Sequence, residues 1–294
     1  MKKMVLAYNP VSGDAAFKHK LDALLEEFQR RDCMLLIYRT KRDNSHSFAE
    51  FVRAADPEAV LIAGGDGTLH EIINIMMKEK INLPVAILPS GTSNDFASYL
   101  GIRDMEISTY FDNIIAGRKR WADLGKIGNE YFVNVASAGM LTAIAHEVDA
   151  KYKNAFGKMA YYVRGLRELP RFRSIALKIT ADGKVYEEDA YLFLVVNSSV
   201  VGSLKNVAVK AEIDDGKLDL LVLRNCSLAE IMSFMAELVA GKDVMLQNKN
   251  IFYLQAGKIT VEAAENIESD LDGECGPLLP LAIETVPKAM EFFY

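Results

Sequence analysis

The chain of 294 residues is short of cysteine, proline, histidine and tryptophan, with three, eight, four and one of each. Cys33, Cys226 and Cys275 are odd in number, widely separated and free of any Cys-x-x-Cys pair. That argues against a disulfide scaffold and for reduced thiols in a cytoplasmic protein. The histidines have no metal-ligand spacing, so no structural zinc is expected. No apolar run approaches a membrane span. The N-terminus passes from Lys2-Lys3 directly into Met4–Tyr8, too short an apolar stretch for a signal-peptide core. Positive charge is also in deficit, 34 Lys and Arg against 40 Asp and Glu, and the net charge of -6 argues against nucleic acid as main partner.

What is present is core. Half the residues are hydrophobic, and the length suits two domains. The chain is organised around Ala59–Glu71. Val60, Leu61 and Ile62 read as a strand buried on both faces. Gly64, Gly65 and Gly67 surround Asp66, where the chain must turn sharply and bring backbone close to a ligand. Thr68 and Glu71 have the spacing of a capping box, and Leu69, Ile72, Ile73 and Met76 follow at helical spacing. A strand, a glycine turn and a helix N-terminus together present free N–H groups to phosphate. Asp66 itself reads as an exposed turn carboxylate with little part in packing.

Around this stretch, residues 1–121 alternate strands and helices, which predicts a doubly wound parallel sheet. Its unusual loops all fall at the carboxyl ends of strands, where such folds bind ligands. Residues 122–294 read as a mostly antiparallel β-sandwich with added helices, including a long helical stretch from Met140 to about Leu169. The last strand is expected over Leu281–Val286. No Walker loop is present, and His70 stands where a dinucleotide fingerprint needs its third glycine. Taken alone, Asp214-Asp215-Gly216 and Asp272-Gly273-Glu274 read as turns between strands.

Together, Asn9-Pro-x-Ser-Gly13, Gly64-Gly-Asp-Gly-Thr68 and Pro89-x-Gly-Thr-x-Asn-Asp-Phe-Ala97 resemble the diacylglycerol kinase catalytic domain. The likeness continues through Asp123-x-Gly125, Phe132-x-Asn134-x-x-Ser137-x-Gly139, Asp214-Asp215-Gly216-x-Leu218-Asp219 and Asp272-Gly273-Glu274, and so spans nearly the whole chain. It is most similar to the soluble bacterial lipid kinases, with a Rossmann-like first domain of the phosphofructokinase and NAD-kinase type.

The resemblance implies ATP bound between the domains and a lipid alcohol, diacylglycerol first, phosphorylated in the cleft. It implies nucleotide contacts at Asn9, Pro10, Val11, Ser12 and Gly13, at Thr40, and at Gly65, Asp66, Gly67, Thr68, Leu69, His70, Glu71 and Thr92. Asp66 would act through Mg²⁺. Asp272 would be the base, with Glu274 orienting it or exchanging roles. A structural Mg²⁺ would be held by the Asp215 carboxylate and the carbonyls of Glu212 and Lys217. Other lipid alcohols, a soluble alcohol such as NAD, and a non-catalytic binding role are the alternatives. Lys151–Lys178 is rich in Lys and Arg, which predicts peripheral docking on anionic lipid at the inner membrane face. A homodimer is left open.

Overall fold

The structure, a computed structural model, describes residues 2–11, 17–41, 45–139, 173–239 and 248–294. The expected helix over Met140–Leu169 and all of the basic segment before Arg173 lie outside them.

The first part runs β1 (Lys3–Tyr8), α1 (Phe17–Arg30), β2 (Met34–Arg39), α2 (Ser45–Ala55), β3 (Ala59–Gly64), α3 (Asp66–Lys78), β4 (Val85–Pro89), α4 (Asp95–Tyr99) and α5 (Ile107–Ile115). The strands pair in parallel in the order β2-β1-β3-β4. Every residue of β3 is buried, as a strand covered on both faces requires. Because β2 is added on one side of β1 and β3 on the other, the carboxyl ends of β1 and β3 flank a crevice.

The second part is β5 (Lys119–Ile127), β6 (Glu130–Phe132), β7 (Val135–Gly139), β8 (Ile175–Ala181), β9 (Lys184–Val196), β10 (Leu218–Arg224), α6 (Leu228–Val239), β11 (Ile251–Ala256), β12 (Lys258–Ala263), β13 (Glu268–Leu271), β14 (Glu274–Leu278) and β15 (Leu281–Phe293). Apart from the parallel contact of β15 with β4, the pairings here are antiparallel. The chain is thus an N-terminal α/β domain followed by a mostly antiparallel β-sandwich domain.

One strand serves both cores. Leu281 and Ile283 of β15 pack with Phe132, Ile179 and Val261 of the sandwich. Met290, Phe292 and Phe293 of the same strand pack with Leu6, Leu61 and Phe96 of the α/β domain. β15 therefore does not stop at Val286: it shifts register against β5 between Val286 and Met290, then continues. At that irregularity Lys288 adopts φ 46° and donates its N–H to Asp123 Oδ1 at 2.7 Å. The boundary read at 121/122 falls inside β5.

Two local readings change. Helix α3 begins at Asp66, its N-cap is Gly65, and no side chain caps it. Thr68 is the third helical residue, and its buried hydroxyl accepts from Asn9 Nδ2 at 3.1 Å, so it cannot form a capping box with Glu71. The apolar stretch from Tyr131 to Ala136 is divided between β6 and β7, because Val133 and Asn134 turn their N–H groups to Asp272 instead of to a neighbouring strand.

Candidate active site

The glycine turn is tightly built. A Cβ on Gly64 would lie 2.4 Å from Thr68 Cβ, and one on Gly91 would lie 2.4 Å from Gly65 Cα. Only glycines let the two loops after β3 and β4 touch backbone to backbone. The Asn9 amide bridges the crevice, with Nδ2 on Thr68 Oγ1 and Oδ1 accepting the Val11 N–H at 3.0 Å.

Asp66 is not a free turn carboxylate. Its Oδ2 accepts the N–H of Asn94 and its Oδ1 that of Asp95, both at 2.8 Å. Burial, and then the nearby charge of Asp95, push its carboxyl up to about 6. Asp95 repeats the device: its oxygens accept the N–H groups of Gly202 at 2.5 Å and Ser203 at 2.8 Å. The first domain's glycine turn is thereby linked, carboxylate by carboxylate, to a loop of the second.

The other wall is the β13–β14 hairpin. Its turn residues Asp272 and Gly273 both have positive φ, 53° and 93°, which supports the Asp-Gly turn reading. The turn also aims two carboxylates. Asp272 is buried, and its oxygens accept three backbone N–H groups, from Val133 (2.7 Å), Asn134 (2.8 Å) and Val135 (2.9 Å). His70 Nδ1 adds a fourth contact at 3.0 Å. Glu274 is exposed and crosses the crevice: a Cβ on Gly67 would stand 2.6 Å from its Oε1. Of the two carboxylates, Glu274 faces open space beside the glycine turn, and Asp272 is anchored.

Burial lowers His70, but the hydrogen bond to Asp272 and the charges of Asp272, Glu274 and Glu130 outweigh it and leave its pKa raised. A cavity of about 580 Å³ opens beside this ring, with Ile127, Leu271, Pro277, Pro280 and Ala282 as apolar walls.

The loop from 212 to 217 leads into β10 and lies against Asp123 of β5. Glu212, Asp215 and Lys217 are exposed, and Asp215 Oδ1 accepts the Lys217 N–H at 2.9 Å. Buried Asp123 holds the loop by accepting the Gly216 N–H at 2.6 Å. Asp219, one strand residue further on, is pushed up to about 6, first by burial and in part by Asp215. Among the described residues no cluster of three His, Cys, Asp or Glu side chains is spaced to hold a metal. The exposed carboxylate and its acidic surroundings nevertheless fit a hard divalent cation completed by backbone oxygens.

The structure brings Asn9, Gly65, Asp66, Gly67, Thr68, His70, Asp272 and Glu274 around one crevice. Val11 and Thr92 are exposed at its rim, while Pro10 is buried. Thr40 N donates to Tyr8 O at 3.0 Å, beside the end of β1. Leu69 is core, and its N–H is spent on Gly65 O, so it offers a ligand neither side chain nor donor. Ser12 and Gly13 lie outside the described residues. Sequence reasoning missed the His70–Asp272 pair and Asn74, whose amide reaches Tyr131. The signal for Asn74 was a polar residue amid the apolar positions of α3.

A glycine turn at a helix N-terminus in a parallel α/β domain, roofed by a carboxylate hairpin from a β-sandwich, defines a two-domain phosphotransferase of the kinase type. Residues 3–127 match the diacylglycerol kinase catalytic domain, and residues 134–294 match the YegS C-terminal NAD kinase beta sandwich-like domain. The chain belongs to the diacylglycerol kinase family. It is 32% identical over 282 residues to a protein named diacylglycerol kinase from Bacillus subtilis (strain 168), covering 95% of this chain and 92% of that one. A protein of the same name from Staphylococcus aureus (strain Newman) is 30% identical over 294 residues, covering 99% and 92%. A solved structure described as a diacylglycerol kinase from Bacillus anthracis str. Sterne superposes with TM-score 0.78 at 28% identity, covering 100% and 97%.

Proposed function

We propose that this chain transfers the γ-phosphoryl group of ATP to the hydroxyl of a lipid alcohol, with diacylglycerol as the leading acceptor. The observation that carries the reading is the seat of Glu274, an exposed carboxylate laid against Gly67 at the start of α3. Phosphates held by the glycine turn and the N–H groups of α3 would lie beside a base able to take the acceptor's proton. Phosphoryl transfer asks for little else beyond positioning and charge neutralisation.

In this reading Glu274 is the base and Asp272 the anchor that aims it. Asp272 already accepts from three N–H groups and His70, which leaves its lone pairs committed. Asn9–Val11, Gly65–Gly67 and Thr92 line the nucleotide side. A bound Mg²⁺ would neutralise phosphate charge, and Asp215 with the carbonyls of Glu212 and Lys217 would hold a structural ion. The apolar walls beside His70 favour a lipid over NAD as acceptor. The protein would then work at a membrane surface from the cytoplasm; no helix among the described residues is long and apolar enough to cross one.

The deciding assay supplies labelled ATP and Mg²⁺ with vesicles of diacylglycerol, monoacylglycerol or a sphingoid base, and with NAD as a soluble control. Label should enter diacylglycerol. Incorporation into NAD alone, or into no acceptor with ATP bound, would overturn the reading.

A further inference from the structure

Three side chains on one face of α3, His70, Asn74 and Lys78, recur every fourth residue, and each crosses to the second domain. His70 Nδ1 meets Asp272 Oδ2 at 3.0 Å. The Asn74 amide pairs with the backbone of Tyr131, donating to its carbonyl at 2.7 Å and accepting its N–H at 2.9 Å. Lys78 Nζ reaches Glu130 Oε1 at 2.6 Å. The helix that follows the glycine turn is thereby fastened to the hairpin that carries the carboxylates.

The protonation of this row follows from its donors. A carboxylate only accepts, so His70 Nδ1 carries hydrogen. Asn74 Nδ2 lies 3.4 Å from His70 Nε2, but its two hydrogens already serve the carbonyls of His70 at 3.0 Å and Tyr131 at 2.7 Å. Nε2 is therefore free to hold a second proton. Among the described residues, the second-domain charges that act most on the ring are negative: Asp272 at the β13–β14 turn, Glu274 on β14 and Glu130 on β6. On its own helix, Lys78 is drawn to Glu130. The Asp272–His70 pair is nearly enclosed, with 3% and 12% of the two side chains exposed.

We propose that His70, as an imidazolium, is a positioning residue for phosphoryl transfer: it holds the Asp272 turn against α3 so that Glu274 stays over Gly67. The inference rests on the assignment of Glu274 as base. Asp272 is otherwise a buried charge balanced only by N–H dipoles, and loss of the imidazolium charge would let the turn lift away from the helix. The Nδ1 hydrogen is spent on Asp272 and not on a phosphate, so the influence of the ring falls on kcat and on pH, not on nucleotide affinity.

The test compares wild type with His70→Asn and Asp272→Asn. The asparagine at 70 keeps an N–H near the Nδ1 position but carries no charge. Imidazole NMR should show His70 titrating above its ordinary value in wild type and returning to or below it in Asp272→Asn. Amide protection at Val133–Val135, taken relative to the intrinsic exchange rate at each pH, should fall in wild type as pH rises through that titration, and should show no such step in His70→Asn. With diacylglycerol vesicles, His70→Asn should lose about tenfold in kcat at pH 6, keep its KM for ATP, and lose the wild-type alkaline limb. A His70 titration at or below the ordinary value, or an unchanged alkaline limb in His70→Asn, would overturn the inference. A wild type inactive on every lipid would instead sink the proposed function, and the NMR and exchange results would still decide the ion pair.

Discussion

The backbone N–H of Asp95 ends on the carboxylate of Asp66 at 2.8 Å, while the carboxylate of Asp95 holds the loop of Gly202 and Ser203. Two acids thus form a chain of support from the glycine turn to the second domain, and substitution at either is felt in both.

Asp66→Ala is therefore expected to cost stability as well as activity. It leaves two N–H groups without an acceptor, each worth about 1–3 kcal/mol if buried. Loss of activity should be about 10²-fold, the usual size for a lost charged contact to a transition state. Denaturant unfolding and turnover of the folded fraction separate the two effects.

With its carboxyl raised to about 6, Asp66 binds a proton more tightly folded than unfolded. Its charge therefore costs stability as pH rises from the ordinary carboxylate range to about 6, by about 3 kcal/mol if fully expressed. The wild-type minus Asp66→Asn difference in unfolding free energy should fall across that window. Transfer activity should fall in the opposite sense, as pH drops through 6.

Asp272 and Glu274 should answer differently to amide substitution. Glu274→Gln removes an exposed base and should lower kcat by about 10²–10⁴-fold with the Tm unchanged. Asp272→Asn replaces an acceptor of three N–H groups by an amide that opposes one of them, and should lower the Tm as well. Turnover and melting of the two variants, side by side, check the assignment.

Gly67→Ala is expected to separate activity from stability. Gly67 lies in the first turn of α3 without a positive φ, and among the described residues the one atom within 3 Å of an added Cβ is the end of the Glu274 side chain. The helix should gain up to about 1 kcal/mol, while the displaced carboxylate should lower kcat. Gly91→Ala, driven into Gly65 backbone, should instead destabilise by about 1–3 kcal/mol.

Mg²⁺ without nucleotide should raise the Tm if the loop at 212–217 holds an ion. At a hundred times its Kd the gain is about 2.7 kcal/mol, removed by chelator and absent from Asp215→Asn. An equal shift in wild type and variant would move the ion elsewhere.

Much of this architecture was legible in the sequence. The fully apolar β3, the three glycines around Asp66 and the alternation of elements before Trp121 each have a local physical cause. β14 was not legible, since Glu274-Cys-Gly-Pro-Leu278 has neither alternation nor β-branched residues. The continuation of β15 was hidden by Pro287 and Lys288, which read as a stop and form an irregularity held by Asp123. At the site, the residue types around the crevice could be read, but the division of labour could not. Whether Asp272 or Glu274 is free depends on three N–H groups from residues 133–135, and backbone donors leave no mark on residue identity.

The return of β15 has a consequence for biosynthesis. Phe292 and Phe293 complete the hydrophobic interior of a domain whose first strand begins at Lys3, at the far end of the sequence from β15. On the ribosome, that interior stays unfinished until β15 has been made, so the first domain cannot mature ahead of the second. Contacts of such long sequence separation also slow folding. Replacing Phe292 and Phe293 by alanine should therefore leave the crevice in a nascent, chaperone-dependent state, although neither residue lines it.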